Sequence, residues 1–165
     1  MKIRQLILST AALILAAPAV LAGGTLQVTK EAVINTDAAT LWSLINGFGT
    51  IHSWHPGVAS TVLTGNGTTV GDKRELTLGD GAKVYEALEG LDNAKMQQSY
   101  TITQSPLPVA NYHSTISVSS AGDGKSNFKW TSTFEAVGAP DEEAMNAVGG
   151  IYQGGIDALA AKYNK

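Results

Sequence analysis

Residues 51–57 read IHSWHPG, two histidines three apart around a tryptophan and closed by Pro-Gly. At that spacing His52 and His55 share one face of a helical turn, as a metal site or a proton-transfer pair would require. A stable metal site takes three or four ligands held by oriented supporting groups. Beyond this pair the chain offers only His113, it has no cysteine, and the glutamate of an HExxH motif is absent. No metal and no cofactor is therefore expected, and the motif reads as structure or as the wall of a pocket. Nucleophilic catalysis has no framework either: no serine sits in a GxSxG elbow, and no Ser-His-Asp set stands out.

Acid/base chemistry has one better candidate. In KVYEALE, Glu86 falls on the same strand face as Val84 and Leu88, so its carboxylate points among apolar groups. A buried carboxylate needs a partner, or its pKa rises. Arg74, in phase with Leu76 and Leu78 on the preceding strand, is the natural partner. Two readings stand: a structural ion pair, or a pocket carboxylate that orients a polar ligand. The aromatic pattern adds to this. Tyr100, Tyr112 and Trp130 lie mid-strand on three successive strands, and Tyr152 lies on the apolar face of the last helix. Aromatics with a polar edge suit an amphipathic ligand, although the same residues would also serve as ordinary core.

The elements that must position these groups follow from hydrophobic period. LQVTKEAVI, residues 26–34, alternates as a strand, and NTDAATLWSLINGF follows as a helix with cap candidates Thr36 and Asp37 and a stop at Asn46-Gly47. The IHSWHPG segment allows one or two turns before Pro56 ends it. From Val58 to Val137, six apolar-alternating runs are separated by the turn signals NGTT, GDG, GLDN, SPLP and AGDGK, which predicts an antiparallel meander. From Asp141 to Tyr163 the period becomes helical, with Met145, Val148, Tyr152, Ile156, Leu159 and Tyr163 three or four apart. Gly149, Gly150, Gly154 and Gly155 lie inside that helix, where each costs about 1 kcal/mol relative to alanine. Close packing against the sheet, or room left for a ligand or a hinge, would account for them.

The N-terminus has the pattern of an export signal: Lys2 and Arg4, an apolar run from Leu6 to Val20, then small residues around Ala22. The expectation is a signal peptide over residues 1–22, followed by a single domain over residues 23–165 that is released to the periplasm or secreted. No later run approaches the roughly 20 apolar residues that a membrane span needs. With Lys2 and Arg4 set aside, 14 Asp+Glu outnumber the remaining nine Lys+Arg, a net charge of −5. Nucleic acid is excluded as a partner by that balance, whereas a basic periplasmic protein is compatible with it.

Six stretches in this order, ATLWSLINGFGTIHSWHPGV, VGDKREL, YEALEGLDN, SPLPVANYHSTISV, FKWTSTF and GGIYQGGIDALAAKY, carry a resemblance over residues 26–163. The chain resembles the SRPBCC superfamily of START, polyketide cyclase and birch-pollen-allergen-like proteins, and within it the small periplasmic members related to the MxaD protein of bacterial methanol oxidation. The resemblance implies an α+β helix-grip fold: a curved antiparallel sheet of about seven strands around a long C-terminal helix, with two short helices after the first strand and a cavity between sheet and helix. Plant abscisic-acid receptors share this architecture. Matching their motifs places a carboxylate-binding lysine at His55, an inward glutamate at Glu86, and further cavity positions at Val84, Tyr100, Tyr112, Ser114 and Trp130. Their gate loop falls near Gly79 to Ala82 and their latch near Pro106 to Val109. Histidine at position 55, LGDGA and SPLPV all depart from the receptors, so hormone binding does not carry over.

The sequence thus points first to an exported carrier or sensor of a small hydrophobic or amphipathic molecule. Its ligand would touch Trp54, His55, Arg74, Val84, Glu86, Tyr100, Val109, Tyr112, Ser114, Trp130 and Tyr152, in a cavity of roughly 300–1,000 Å³. A second reading is an accessory protein that assists a periplasmic dehydrogenase and its cytochrome. The third is a cyclase- or aromatase-type enzyme using Glu86, Arg74 or His55 as acid/base groups, although no spacing demands chemistry.

Overall fold

The computed structural model describes residues 25–164. The signal peptide expected over residues 1–22 lies outside them. The first strand, β1 (Leu26–Ile34), leads into α1 (Ala38–Ile45) and a single 3-10 turn, Ile51–Ser53. Six strands follow: β2 (Val58–Thr64), β3 (Lys73–Leu78), β4 (Lys83–Asp92), β5 (Gln97–Gln104), β6 (Val109–Gly122) and β7 (Lys125–Ala136). The chain then forms α2 (Asp141–Tyr163). All strand pairs are antiparallel, and the seven strands lie in the order β1-β7-β6-β5-β4-β3-β2. The hairpin-linked strands therefore form a meander, and β1 returns to pair with the last of them.

Local chemistry explains the boundaries. Asp37 caps α1 by accepting the backbone N–H of Thr40 at 2.9 Å, and Asn46 ends it. The β2–β3 loop is held by Asp72, whose Oδ2 accepts the N–H groups of Gly67, Thr68 and Thr69 at 2.8, 3.1 and 3.1 Å. Gly65 lets the chain come this close to that carboxylate, because its φ of +107° and the 2.1 Å between a would-be Cβ and Asp72 Oδ1 both exclude a side chain. In α2 the acidic first turn, Asp141 to Glu143, complements the helix dipole.

Burial alternates along the strands, so that one face carries the interior: Arg74 and Leu76 on β3, Val84, Glu86 and Leu88 on β4, Tyr100 on β5, Tyr112, Ser114 and Ile116 on β6, and Phe128, Trp130 and Phe134 on β7. Register shifts at Tyr85/Glu86, Leu88/Gly90 and Ala110/His113 mark irregularities that bend the sheet. The curved sheet wraps around α2, whose buried face is Ala144, Val148, Tyr152, Gly155, Ile156 and Leu159. This is the helix-grip α+β fold. Met145, expected on that face, is exposed, and the neighbouring Ala144 is fully buried there instead.

Candidate functional site

A cavity of about 120 Å³ lies between the sheet and α2. Its apolar lining includes Ile51, Val58, Leu76, Leu78, Ile102 and Leu107, and its polar lining includes His55, Glu86, Tyr100, Tyr112 and Tyr152. Val84 and Trp130 complete the set of sequence-expected residues that the structure brings to this wall. Of the others, Arg74 and Ser114 stand behind it, each hydrogen-bonded to a wall residue. Trp54 packs its ring at 5.7 Å from that of Trp130 and 6.3 Å from that of Phe128. Val109 is half-buried at the start of β6, where it pairs with Ala136. The volume is smaller than the expected range because the aromatics fill the concavity themselves: Trp130 and Tyr152 stack with centroids 4.3 Å apart and planes 14° from parallel.

Five of these side chains join through their polar atoms. Trp130 Nε1 donates to Tyr100 Oη and to Ser114 Oγ, each at 3.0 Å. Ser114 Oγ also lies 3.1 Å from the carbonyl of Thr131 and 3.0 Å from Tyr152 Oη, which in turn bonds Tyr112 Oη. Burial pushes all three tyrosine hydroxyls above their ordinary range, so they act as protonated hydrogen-bonding groups.

The Arg74–Glu86 pair anchors one end. Arg74 Nε meets Glu86 Oε2 at 2.5 Å, Nη1 donates to the carbonyl of Phe48 at 2.7 Å, and Nη2 has no partner among the described residues. The guanidinium lies over the rings of Phe48, at 4.3 Å, and Tyr100, at 4.8 Å, two cation–π contacts that compensate part of its lost hydration. Burial raises the Glu86 pKa, and the charge and hydrogen bond of Arg74 oppose that rise.

His55 anchors the other end. Its Nδ1 accepts the N–H of Gly57 at 3.1 Å, which leaves the proton on Nε2, 2.8 Å from the Ile151 carbonyl of α2. Burial lowers its pKa, so the ring is neutral with both nitrogens committed. Gly155 makes room for it: a Cβ there would lie 2.9 Å from His55 Cδ2 and 3.1 Å from Cζ3 of both Trp54 and Trp130. Close packing accounts for this helical glycine, whereas Gly150 and Gly154 face open space. The other histidines lie apart: His52 is exposed beside Thr61, and His113 pairs with Glu89 at 2.7 Å. Among the described residues no three His, Cys, Asp or Glu side chains are grouped to hold a metal.

Several wall residues escape the sequence reading. Leu76, Leu78 and Ile102 follow from strand alternation, and Leu107 falls within the segment matched to the latch. Phe48 and Ile151 leave no local signal, because their roles depend on a backbone carbonyl and on how α2 is seated.

Solved structures share this architecture. An uncharacterised protein from Bacillus thuringiensis is 34% identical, with a TM-score of 0.79 over 85% of this chain and 100% of its own. The protein XoxI from Bacillus cereus is also 34% identical at a TM-score of 0.79, covering 84% of this chain and 96% of its own. A protein from Thermobifida fusca is 28% identical, with a TM-score of 0.74 over 83% and 92%. No curated protein matches the chain. Residues 25–164 match the family described as polyketide cyclase / dehydrase and lipid transport, and the chain belongs to that family.

Proposed function

We propose that the protein is an exported binding protein for a small hydrophobic or amphipathic molecule, held between the sheet and α2. One observation carries this reading: the cavity has a largely apolar wall with a few polar groups among it, the composition that small-molecule sites share. Leu78 and Leu107 sit on that wall beside the segments matched to gate and latch, so a ligand larger than the present volume would enter by displacing them. Among the described residues no helix is long and apolar enough to cross a membrane.

Native mass spectrometry of protein purified from the periplasm should find a retained small molecule, and a fluorescent amphipathic probe should titrate to saturation. Trp130→Ala should weaken probe binding while the fold survives, and Glu86→Gln should alter preference among head groups more than overall affinity. If Trp130→Ala binds as tightly as the parent, or if no probe or extract yields a ligand, the aromatics are ordinary core.

The small cavity favours a second reading, in which the protein works through its surface. As a periplasmic MxaD-related accessory protein it would assist a dehydrogenase and its cytochrome, and its acidic balance would suit a basic partner. Salt-sensitive association with a periplasmic dehydrogenase or cytochrome from the same cells would support this reading over the carrier.

A further inference from the structure

If the cavity is the binding site proposed above, its charges and free hydrogen-bonding atoms restrict what it can hold. No lysine or arginine lies on the wall. Arg74 stands behind it, with Nε and Nη1 engaged by Glu86 and the Phe48 carbonyl and the unpartnered Nη2 buried off the wall, and His55 is committed at both ring nitrogens. An entering carboxylate would lose its hydration, find no cation facing it, and meet Glu86 instead.

The hydroxyl protons can be assigned one by one. Ser114 donates to the Thr131 carbonyl, so its oxygen accepts from Trp130 and from Tyr152; Tyr152 in turn accepts from Tyr112. Tyr100 Oη accepts from Trp130 Nε1, and its own proton has no acceptor among the described residues. Glu86 uses only Oε2, leaving Oε1 without a donor. Both side chains border the cavity, and both touch Arg74, so a spare donor and a spare acceptor belong to neighbouring groups of one largely apolar space. The volume sets the scale: an apolar cavity of about 150 Å³ holds a benzene ring, and this one, at about 120 Å³, reaches that size with a small displacement of Leu78 or Leu107.

We infer that the cavity takes a neutral, single-ring ligand bearing a hydroxyl, of the phenol class, and rejects carboxylates of the same size. The ligand oxygen accepts from Tyr100, and its proton goes to Glu86 Oε1 in a hydrogen bond. The ring lies among Leu76, Val84, Ile102 and Leu107.

Calorimetric titration of the purified protein with phenol, toluene and benzoate at neutral pH tests this. Phenol should bind about tenfold more tightly than either of the others, as one well-placed hydrogen bond in a dry site allows. Tyr100→Phe should weaken phenol about five- to tenfold and leave toluene unchanged. Should that variant fail to fold, the order of the three ligands on the parent protein decides alone. Benzoate binding as well as phenol, or a phenol preference that survives Tyr100→Phe, overturns the inference. If none of the three binds while the larger amphipathic probe does, the phenol class is wrong and the binding-protein reading stands. If the probe fails as well, both fall.

Discussion

The interior beneath β1 and β7 and the interior beneath β3, β4 and β5 are closed by different means. Under β1 and β7 the long helix does the work: Val148 and Leu159 of α2 face an apolar surface that includes Val28, Ile34 and Phe128. Under β3 to β5 the covering comes from side chains and short segments, and polar groups are buried there: Arg74, Glu86 and Gln98, with the Phe48 and Asn46 carbonyls as partners. Widths explain the division. Seven strands at about 4.8 Å spacing make a sheet roughly 30 Å across, whereas a helix with its side chains is about 10 Å wide. One helix cannot cover the sheet even when the sheet curls, so the uncovered half must be filled by other groups, and the cavity lies where that half meets Ile151 and Tyr152 of α2.

The comparison breaks most visibly at Arg74. Arg74→Met leaves Glu86 buried without its counter-charge and should destabilise the fold by about 3–5 kcal/mol in urea unfolding, while the double variant Arg74→Met, Glu86→Leu should recover most of that loss. A single variant as stable as the parent would mean that water, not Arg74, keeps Glu86 ionised.

At the seam between the halves, Gly155→Ala should cost about 1–3 kcal/mol, because the rigid rings of His55, Trp54 and Trp130 cannot yield to the new methyl. Gly150→Ala, at an exposed helical position facing open space, should instead stabilise by up to about 1 kcal/mol through helix propensity. Thermal unfolding of the two variants side by side separates close approach from mere tolerance. Equal shifts in both would show that α2 is not seated through Gly155.

These contrasts also show what the sequence could and could not reveal. The seven strands and α2 were legible because their periods of two and 3.6 are imposed by backbone geometry at every residue. The Arg74–Glu86 pair was legible as well, since alternation places both side chains on the inner face of neighbouring strands, and their register pairs them directly. Phe48 as a carbonyl partner, Ile151 as the acceptor for His55, and Gly155 as the point of closest approach were not. Each depends on where α1 and α2 come to rest against the sheet, a long-range outcome with no local pattern. The cavity volume was overestimated for the same kind of reason: strand phase shows that Trp130 and Tyr152 point inward, but not that they stack on each other and occupy the space.

A smaller effect tests the hydroxyl chain that runs along the seam. Tyr112→Phe removes one partner of Tyr152 Oη yet leaves that hydroxyl its bond to Ser114, so about 1 kcal/mol should be lost. Loss of several kcal/mol in denaturant unfolding would show that the chain is cooperative rather than a set of independent bonds.

The mildest test uses pH, and it distinguishes the two anchors by sign. Burial lowers the His55 pKa below its ordinary 6.5, so between the folded value and 6.5 the unfolded chain binds a proton that the folded ring refuses. Its contribution to stability is therefore complete above pH 6.5 and is lost as the pH falls through that window, by at most about 1.4 kcal/mol per pH unit for one proton. Glu86 runs the other way. Its pKa is raised from 4.5, so above 4.5 the folded state holds the proton more tightly, and stability declines as the pH rises toward the folded value. The two slopes oppose each other where the windows overlap, which makes the parent's profile shallow. His55→Gln removes the first and should leave a profile that only declines with rising pH across that overlap, whereas Glu86→Gln should leave one that rises. Denaturant unfolding of both variants from pH 4.5 to 7.5 reads the signs directly, and a His55→Gln profile that still rises would place the pH-sensitive proton on another group.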